Sequence, residues 1–294
     1  MIERMEKRII SDSLIEEYCS WMYGNEKSGG TIKKYSYYLN LFKEFLNDGE
    51  VEKEKVLLWK SQLRDYLAPV TVNTALAAIN GFFKYKGWGE CMTRFIKIKK
   101  NIFCPEKKEL SREEYVRLVK TARETGNERL ELLIQTLCST GIRISELRYI
   151  TVEAVEKGMM QVDCKGRVRT VFLTEGLCDM LKIYAGKLHI TTGMIFITRG
   201  GKPLDRSNIW RDMKKLGFGA KVEWEKIYPH NLRHLFARTY YNQEKDLNKL
   251  SDILGHSDIN TTRIYTMESG QNHLRQIEKM NLLVGNYNGI SLLL

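Results

Sequence analysis

No stretch of this sequence could cross a membrane as a helix, because it has no run of about 18 apolar residues. Its first residues, Met-Ile-Glu-Arg-Met-Glu-Lys-Arg, are charged and lack the apolar segment of a secretory leader. Cysteine is sparse and unpaired in spacing. Cys19, Cys91, Cys104, Cys138, Cys164 and Cys178 are scattered singly, so they read as reduced thiols of a cytoplasmic protein. That pattern speaks against both a disulfide framework and a zinc site. Histidine is scarce as well, at five in 294 residues. His230 and His234 have the i, i+4 spacing of a metal pair, but no Glu or Cys cluster accompanies them, so no metal is expected.

What the chain has in excess is positive charge. A formal net charge of +11 favours a polyanionic partner. A chain of 294 residues suffices for one or two domains with a full core.

The first third reads as four helices with short loops, a small bundle over residues 1–88. Ser13 with Glu16 suggests a capping box, followed by Leu14, Tyr18 and Met22 on one face. Thr31 is expected to cap a second helix, with Ile32, Tyr35, Leu39 and Phe42 inward. A third spans about Val51 to Leu67 and is stopped by Pro69. Thr71 is expected to cap a fourth, carrying Val72, Leu76, Ile79 and Phe83 and closed by Gly87. Lys33, Lys34 and Lys84 are candidate phosphate contacts, and an ordinary solvated helix face is the alternative.

Residues 89–108 read as a basic linker, with Arg94, Lys97, Lys99 and Lys100 following no helical period. A basic strap between two domains suits contact with a duplex, because each neutralised phosphate releases counterions. The second domain, residues 109–285, opens on a Ser111/Glu114 capping box and two helices, Glu113 to Arg123 and Glu128 to Cys138. Two strand-like runs, Met159 to Asp163 and Arg169 to Leu173, meet at Lys165-Gly166 as a hairpin. Further helices, Glu175 to Gly186 and Ser207 to Leu216, flank a short strand at Met194 to Ile197. Residues 286–294 form a tail.

The densest chemistry lies between His230 and Tyr265. Three of the five histidines fall there, His230, His234 and His256, together with Arg233 and Tyr265. Taken singly, each is ordinary. Together they suit phosphoryl transfer without a metal. Arg233 can hold a phosphate through two parallel donors, the histidines can move protons near neutral pH, and Tyr265 carries a hydroxyl able to form a covalent intermediate. His230 and Arg233 share a helix face, started by Pro229. Leu247, Leu250, Ile253 and Leu254 form an apolar stripe ended by Gly255, which puts His256 just past a helix end. Asp258 or Asn260 can cap the next helix, which is expected to carry Tyr265.

The segments His230-Asn-Leu-Arg-His-Leu-Phe-Ala and Leu254-Gly-His-Ser-Asp-Ile-Asn-Thr-Thr-Arg-Ile-Tyr-Thr resemble the two C-terminal signature boxes of the tyrosine recombinases, the phage-integrase and Xer-like family. Upstream, Thr140-Gly-Ile-Arg143-Ile-Ser-Glu-Leu147 resembles that family's first arginine box, and Lys165 falls where the family places a hairpin lysine. The hairpin turn is about one residue shorter than the family's commonest pattern, which makes Lys202, beside Gly200-Gly201, a second candidate.

The resemblance implies a mainly α fold with a small β-sheet: a four-helix, SAM-like core-binding domain followed by an α+β catalytic domain. It implies site-specific recombination of double-stranded DNA through a covalent 3′-phosphotyrosine. Arg143 and Arg233 would clamp the scissile phosphate, with Glu146 orienting Arg143 and His234 in support. Tyr265 would attack, His230 would accept its proton, Lys165 would protonate the leaving 5′-oxygen, and His256 would hydrogen-bond a phosphate oxygen. The covalent link conserves the energy of the broken bond, so no cofactor is implied. The resemblance further implies dimers or tetramers on DNA, with the apolar tail (Leu274, Ile277, Met280, Leu282) docking on a neighbouring copy or packing in cis. It leaves no room for an arm-binding domain ahead of residue 13. Two other readings use the same residues: a catalytically silent DNA-binding protein, and a relaxing topoisomerase of the type IB kind.

Overall fold

The computed structural model describes residues 7–98, 109–164, 167–256, 258–265, 274, 277–280 and 282. Among these residues the chain is mainly α-helical with one small sheet, and it divides into two compact units between Lys100 and Asn101.

The first unit is built on α1 (Asp12–Gly24), α2 (Gly29–Leu46), α3 (Lys53–Tyr66) and α4 (Pro69–Lys86). α4 is apolar around most of its circumference, and that composition dictates a central place. Val72, Ala75, Leu76, Ala78, Ile79, Phe82 and Phe83 are all fully buried, against Phe42 of α2 and Trp59 of α3. Each large side chain buried in this way contributes on the order of 2 kcal/mol.

Three helix starts differ from the sequence expectation. α1 is capped by Ser11, whose hydroxyl accepts from Leu14 N–H, so Ser13 is not the cap. α2 begins at Gly29 under Ser28, whose hydroxyl accepts from Thr31 N–H. Gly29 and Gly30 are therefore the first turn of the helix, and Thr31 lies inside it. Pro69 opens α4 at N1 in place of a Thr71 cap, as its fixed φ and missing N–H allow.

The segment expected to be linker from residue 89 begins inside this unit. Cys91 is buried, and the chain beyond it runs extended along α4. Asn80 donates to Thr93 C=O at 2.8 Å and accepts from Thr93 N–H at 3.0 Å; Asn73 holds Ile96 in the same way, at 2.9 and 2.7 Å. Two asparagine amides on one helix face thus imitate a strand edge, a pattern that hydrophobic periodicity does not register.

The second unit comprises α5 (Arg112–Glu124), α6 (Glu128–Thr140), α7 (Val152–Lys157), β1 (Met159–Cys164), β2 (Arg167–Phe172), α8 (Glu175–Lys187), α9 (Arg206–Gly219), α10 (Pro229–Glu244), α11 (Leu247–Leu254) and α12 (Ile259–Arg263). The Ser111/Glu114 capping box is present. α6 is its central helix, with Leu130, Leu133, Ile134 and Leu137 buried. β1 and β2 pair antiparallel with Val162 opposite Arg169. Residues 194–197 form only isolated bridges, Thr151 with Met194 and Ile197 with Pro203, so the third strand expected there is not a strand. Among the described residues no helix is long and apolar enough to cross a membrane.

Gly217 of α9 faces Ile227, which is 1 % exposed, and a Cβ added at Gly217 would collide with the isoleucine side chain. Helix propensity favours Ala here by about 1 kcal/mol, but overpacking a closed core costs more. Gly217→Ala is expected to lower stability by roughly 2 kcal/mol and the melting temperature of this unit by about 5 °C. Thermal unfolding showing an unchanged or raised midpoint would refute this packing.

Candidate active site

Four segments of the second unit converge. α6 ends at Gly141, whose φ of +63° turns the chain back. Arg143 then stands at the start of a 3-10 turn, Ile144–Tyr149. Glu146, one turn on, caps that start: its Oε2 accepts from Arg143 N–H at 2.7 Å, and its Oε1 from Arg143 Nη1 at 3.1 Å. The Arg143 side chain is 34 % exposed, and its Nη2 lies 3.5 Å from Gly255 C=O.

α10 supplies the second arginine. Pro229 sets its first turn and His230 follows, so Arg233 sits one turn deeper. Arg233 is 2 % exposed. Its Nη1 donates to Gly141 C=O at 2.5 Å, and its Nη2 donates to Leu254 C=O at 2.7 Å and to His256 Nε2 at 2.9 Å. Burial and the neighbouring Arg143 charge push its pKa down to about 10, against the pull of Tyr265 and Glu146, so it remains a cation at neutral pH.

The contacts of His256 fix its tautomer. Arginine can only donate, so Nε2 accepts, and Nδ1–H donates to Thr262 Oγ1 at 2.8 Å. In this arrangement Nε2 cannot at the same time donate to a phosphate oxygen. Burial, then Arg233, Arg143, Arg169 and His230, lower the His256 pKa to about 4. Burial, His230 and Arg233 bring His234 to about 4 as well. His230 stands at the mouth of the site. Burial of its inner edge lowers its pKa; its own backbone opposes the shift, and Arg233, Arg143 and Arg206 add to it.

Tyr265 lies just past the C-cap of α12 rather than within that helix. It is 3 % exposed and packs with Ala237, Leu250 and Leu254. The His234 ring meets it edge-on at 4.7 Å and the His256 ring stacks at 5.9 Å. Its hydroxyl is buried and forms no hydrogen bond of acceptable geometry among the described residues, although it is within electrostatic reach of Arg233. Arg143, Glu146, His230, Arg233, His234, His256 and Tyr265 are thus brought together.

Beside them opens a cleft of about 860 Å³, lined by Arg143, Arg206, Trp210, His230 and Arg233 among others. Arg206 and Trp210 escaped the sequence reading, as did Arg169 of β2. Arg169 donates to Glu146 through Nη1 at 3.1 Å and Nη2 at 2.9 Å. Its place in the same alternating row as buried Val171 was the available signal, since a strand seldom turns an arginine inward without a partner. Lys165, Lys99 and Lys100 lie outside the described residues. Lys202 sits on an exposed turn, its N–H bonded to Thr198 Oγ1, and does not line the cleft. Lys33 and Lys34 on α2, Lys84 on α4, and Arg94 and Lys97 beyond it are exposed in the first unit. Among the described residues no group of His, Cys, Asp and Glu could hold a metal ion.

The two depressed histidines predict an acid-labile fold. Between pH about 4 and 6.5 the unfolded chain holds protons on His234 and His256 that the folded chain does not. Stability therefore falls as pH drops through that window, by up to about 2 kcal/mol at pH 5 for His234 and by less for the less deeply buried His256, whose charge water screens. His234→Phe keeps the edge-on ring contact and is expected to remove the larger part of that fall. Denaturant titrations at pH 7 and pH 5 test this; an equal fall in the variant would mean that His234 is not held neutral.

Residues 108–272 match the phage integrase family. The tyrosine recombinase XerA of Pyrococcus furiosus is 27 % identical over 286 residues, covering 95 % of this chain and 98 % of that protein. Among solved structures, the pre-cleavage complex of the XerH site-specific recombinase bound to its difH substrate has a TM-score of 0.69 at 22 % identity, over 92 % of this chain and 85 % of that one. A lambda integrase tetramer bound to a Holliday junction has a TM-score of 0.70 at 16 % identity, over 89 % and 78 %. At these identities the structural likenesses establish a shared fold.

Proposed function

The chain belongs to the phage integrase family, the tyrosine recombinases, and we propose that it cuts and rejoins duplex DNA at a specific site through Tyr265. The observation that carries this reading is the meeting of two guanidiniums and one phenol. Arg233 is hydrogen-bonded to the backbone on both sides of the site, at Gly141 and Leu254, with Arg143 and Tyr265 in electrostatic contact with it.

A phosphodiester resists attack because its charge repels nucleophiles and its leaving alkoxide is poor. Arg143 and Arg233 neutralise the non-bridging oxygens and hold the charge of the pentacoordinate transition state. Tyr265 Oη attacks phosphorus, the P–Oη bond forms, and the P–O5′ bond breaks. The phenolic proton passes to His230, and Lys165 gives a proton to the departing 5′-oxygen. A 5′-hydroxyl from the partner strand reverses the same steps, so energy and charge balance without a cofactor. Arg233 and Tyr265 are almost closed to solvent in the free chain, so productive binding includes an opening around them. In that opening the His256 ring takes its other tautomer: Nδ1 accepts from the Thr262 hydroxyl, and Nε2–H donates to a phosphate oxygen. His234 shapes the packing of Tyr265.

The work takes place in the cytoplasm, on double-stranded DNA, in an assembly of copies. The exposed side chains of Leu274, Ile277, Met280 and Leu282 are candidates to dock on a neighbouring copy. The exposed cations Lys33, Lys34, Lys84, Arg94 and Lys97 neutralise backbone phosphates, and Lys99 and Lys100 are proposed to join them.

The test uses nicked suicide duplexes drawn from the DNA flanking the gene. An SDS-stable adduct mapping to Tyr265 is expected on one of them. No adduct on any, with binding retained, would favour a silent DNA-binding protein. Relaxation of supercoils without sequence preference would favour a topoisomerase.

A further inference from the structure

Arg169 ties β2 to the carboxylate that holds Arg143 and to the end of α11, and no part of the proposed chemistry uses it. Its side chain is 10 % exposed and that of its partner Glu146 is 5 % exposed. It takes the Glu146 carboxylate side-on, Nη1 to Oε1 at 3.1 Å and Nη2 to Oε2 at 2.9 Å. Arg143 reaches the same carboxylate end-on, through Nη1 to Oε1. Arg169 also donates from Nε to Ile253 C=O at 3.0 Å, in the last turn of α11. Its aliphatic stem fills the space beside Gly255, where an added Cβ would lie 2.7 Å from Arg169 Cδ. The next residue is His256.

We propose that Arg169 is a positioning residue for strand cleavage: by occupying Glu146 side-on it keeps Arg143 turned toward the cleft, and by gripping the end of α11 it sets the turn that carries His256. The inference rests on the recombinase reading above and deepens it.

The two arginines compete for one carboxylate. A carboxylate accepts two parallel donors from one guanidinium better than any other arrangement. Without Arg169, Glu146 is free to take Arg143 side-on as well, which draws that fork off the cleft and away from a phosphate. A buried carboxylate with one cationic neighbour instead of two also holds that neighbour harder. With Arg169 in place, Arg143 keeps an end-on contact and a side chain one-third exposed. The same bonds tie β2 to the segments that carry Arg143 and His256.

The test compares wild type, Arg169→Met and Arg169→Lys on the suicide duplex that wild type cleaves. One duplex carries the natural scissile phosphate and one a neutral methylphosphonate, which places little demand on a cationic clamp. DNA affinity is expected to stay within about threefold of wild type. Single-turnover cleavage by R169M is expected to slow on the order of 100-fold on the phosphate and less than tenfold on the methylphosphonate. R169K, with charge but no fork, falls between. Equal slowing on both substrates would mean a general loss of structure and would overturn the proposal, as would no slowing at all. Should R169M fail to fold or bind, R169K with the two duplexes decides in the same way. A wild type that forms no Tyr265 adduct would instead remove the recombinase reading itself.

Discussion

Replacing Tyr265 by phenylalanine abolishes the covalent adduct, leaves DNA affinity unchanged and makes the free protein slightly more stable. The first two outcomes follow from the proposed chemistry, in which the phenol, seated between the rings of His234 and His256, forms the bond to phosphorus. The third follows from packing. The ring is 3 % exposed and seated among Ala237, Leu250 and Leu254, contacts that phenylalanine reproduces. The hydroxyl, by contrast, is buried without a hydrogen bond of acceptable geometry among the described residues. A buried donor left unsatisfied costs about 1–3 kcal/mol, part of which its attraction to Arg233 offsets. Deleting it should therefore raise stability by roughly 1 kcal/mol. Most core truncations lower stability, so the sign is diagnostic. Gel shift, SDS-resistant adduct formation and denaturant titration read the three outcomes separately. Adducts persisting in Y265F would move the nucleophile elsewhere. A loss of stability would mean that the hydroxyl is bonded in the free chain.

The sequence carried the second unit further than the first. Helix bounds there fell close to expectation because each end has its own chemistry: Ser111 with Glu114 at α5, Pro229 at α10, Gly255 after α11, and Asp258, whose carboxylate accepts from Asn260 N–H, at α12. In the first unit more than one residue competed to cap α1 and α2. Ser11 and Ser13 are both good caps, as are Ser28 and Thr31, and only tertiary packing selects between them. That the arginines, histidines and tyrosine belong together was legible because those residue types can do chemistry that few others can. What holds them was not. Glu146 was expected to orient Arg143, and it does so through both its oxygens. Arg169, which engages that same carboxylate, lies 23 residues away in sequence, and only the hairpin's register brings it there. The bonds from Arg233 to Gly141 and Leu254 are to backbone carbonyls, which no side-chain motif encodes.

Those backbone bonds decide how far an apparently mild substitution reaches. Arg233→Lys keeps the positive charge, so DNA affinity is expected to stay within about threefold, since the long-range attraction is retained. Cleavage is a different matter. A guanidinium bridges Gly141 C=O, Leu254 C=O and His256 Nε2 from one rigid plane. An ammonium on a flexible stem cannot meet all three and still present two parallel donors to a phosphate. Losing that preorganised donation where charge develops costs on the order of 100- to 1000-fold in single-turnover cleavage. The same loss leaves a buried carbonyl short of its donor, so the folded state should also be weaker by roughly 1–3 kcal/mol. Arg143→Lys provides the internal control. That side chain is 34 % exposed and held by Glu146 and the edge of Gly255, so water can compensate for the lost fork and the folded state should barely change. A lysine at 233 that cleaves within tenfold of wild type would mean that charge alone suffices at this position. The two-point grip on the phosphate would then have to come from Arg143.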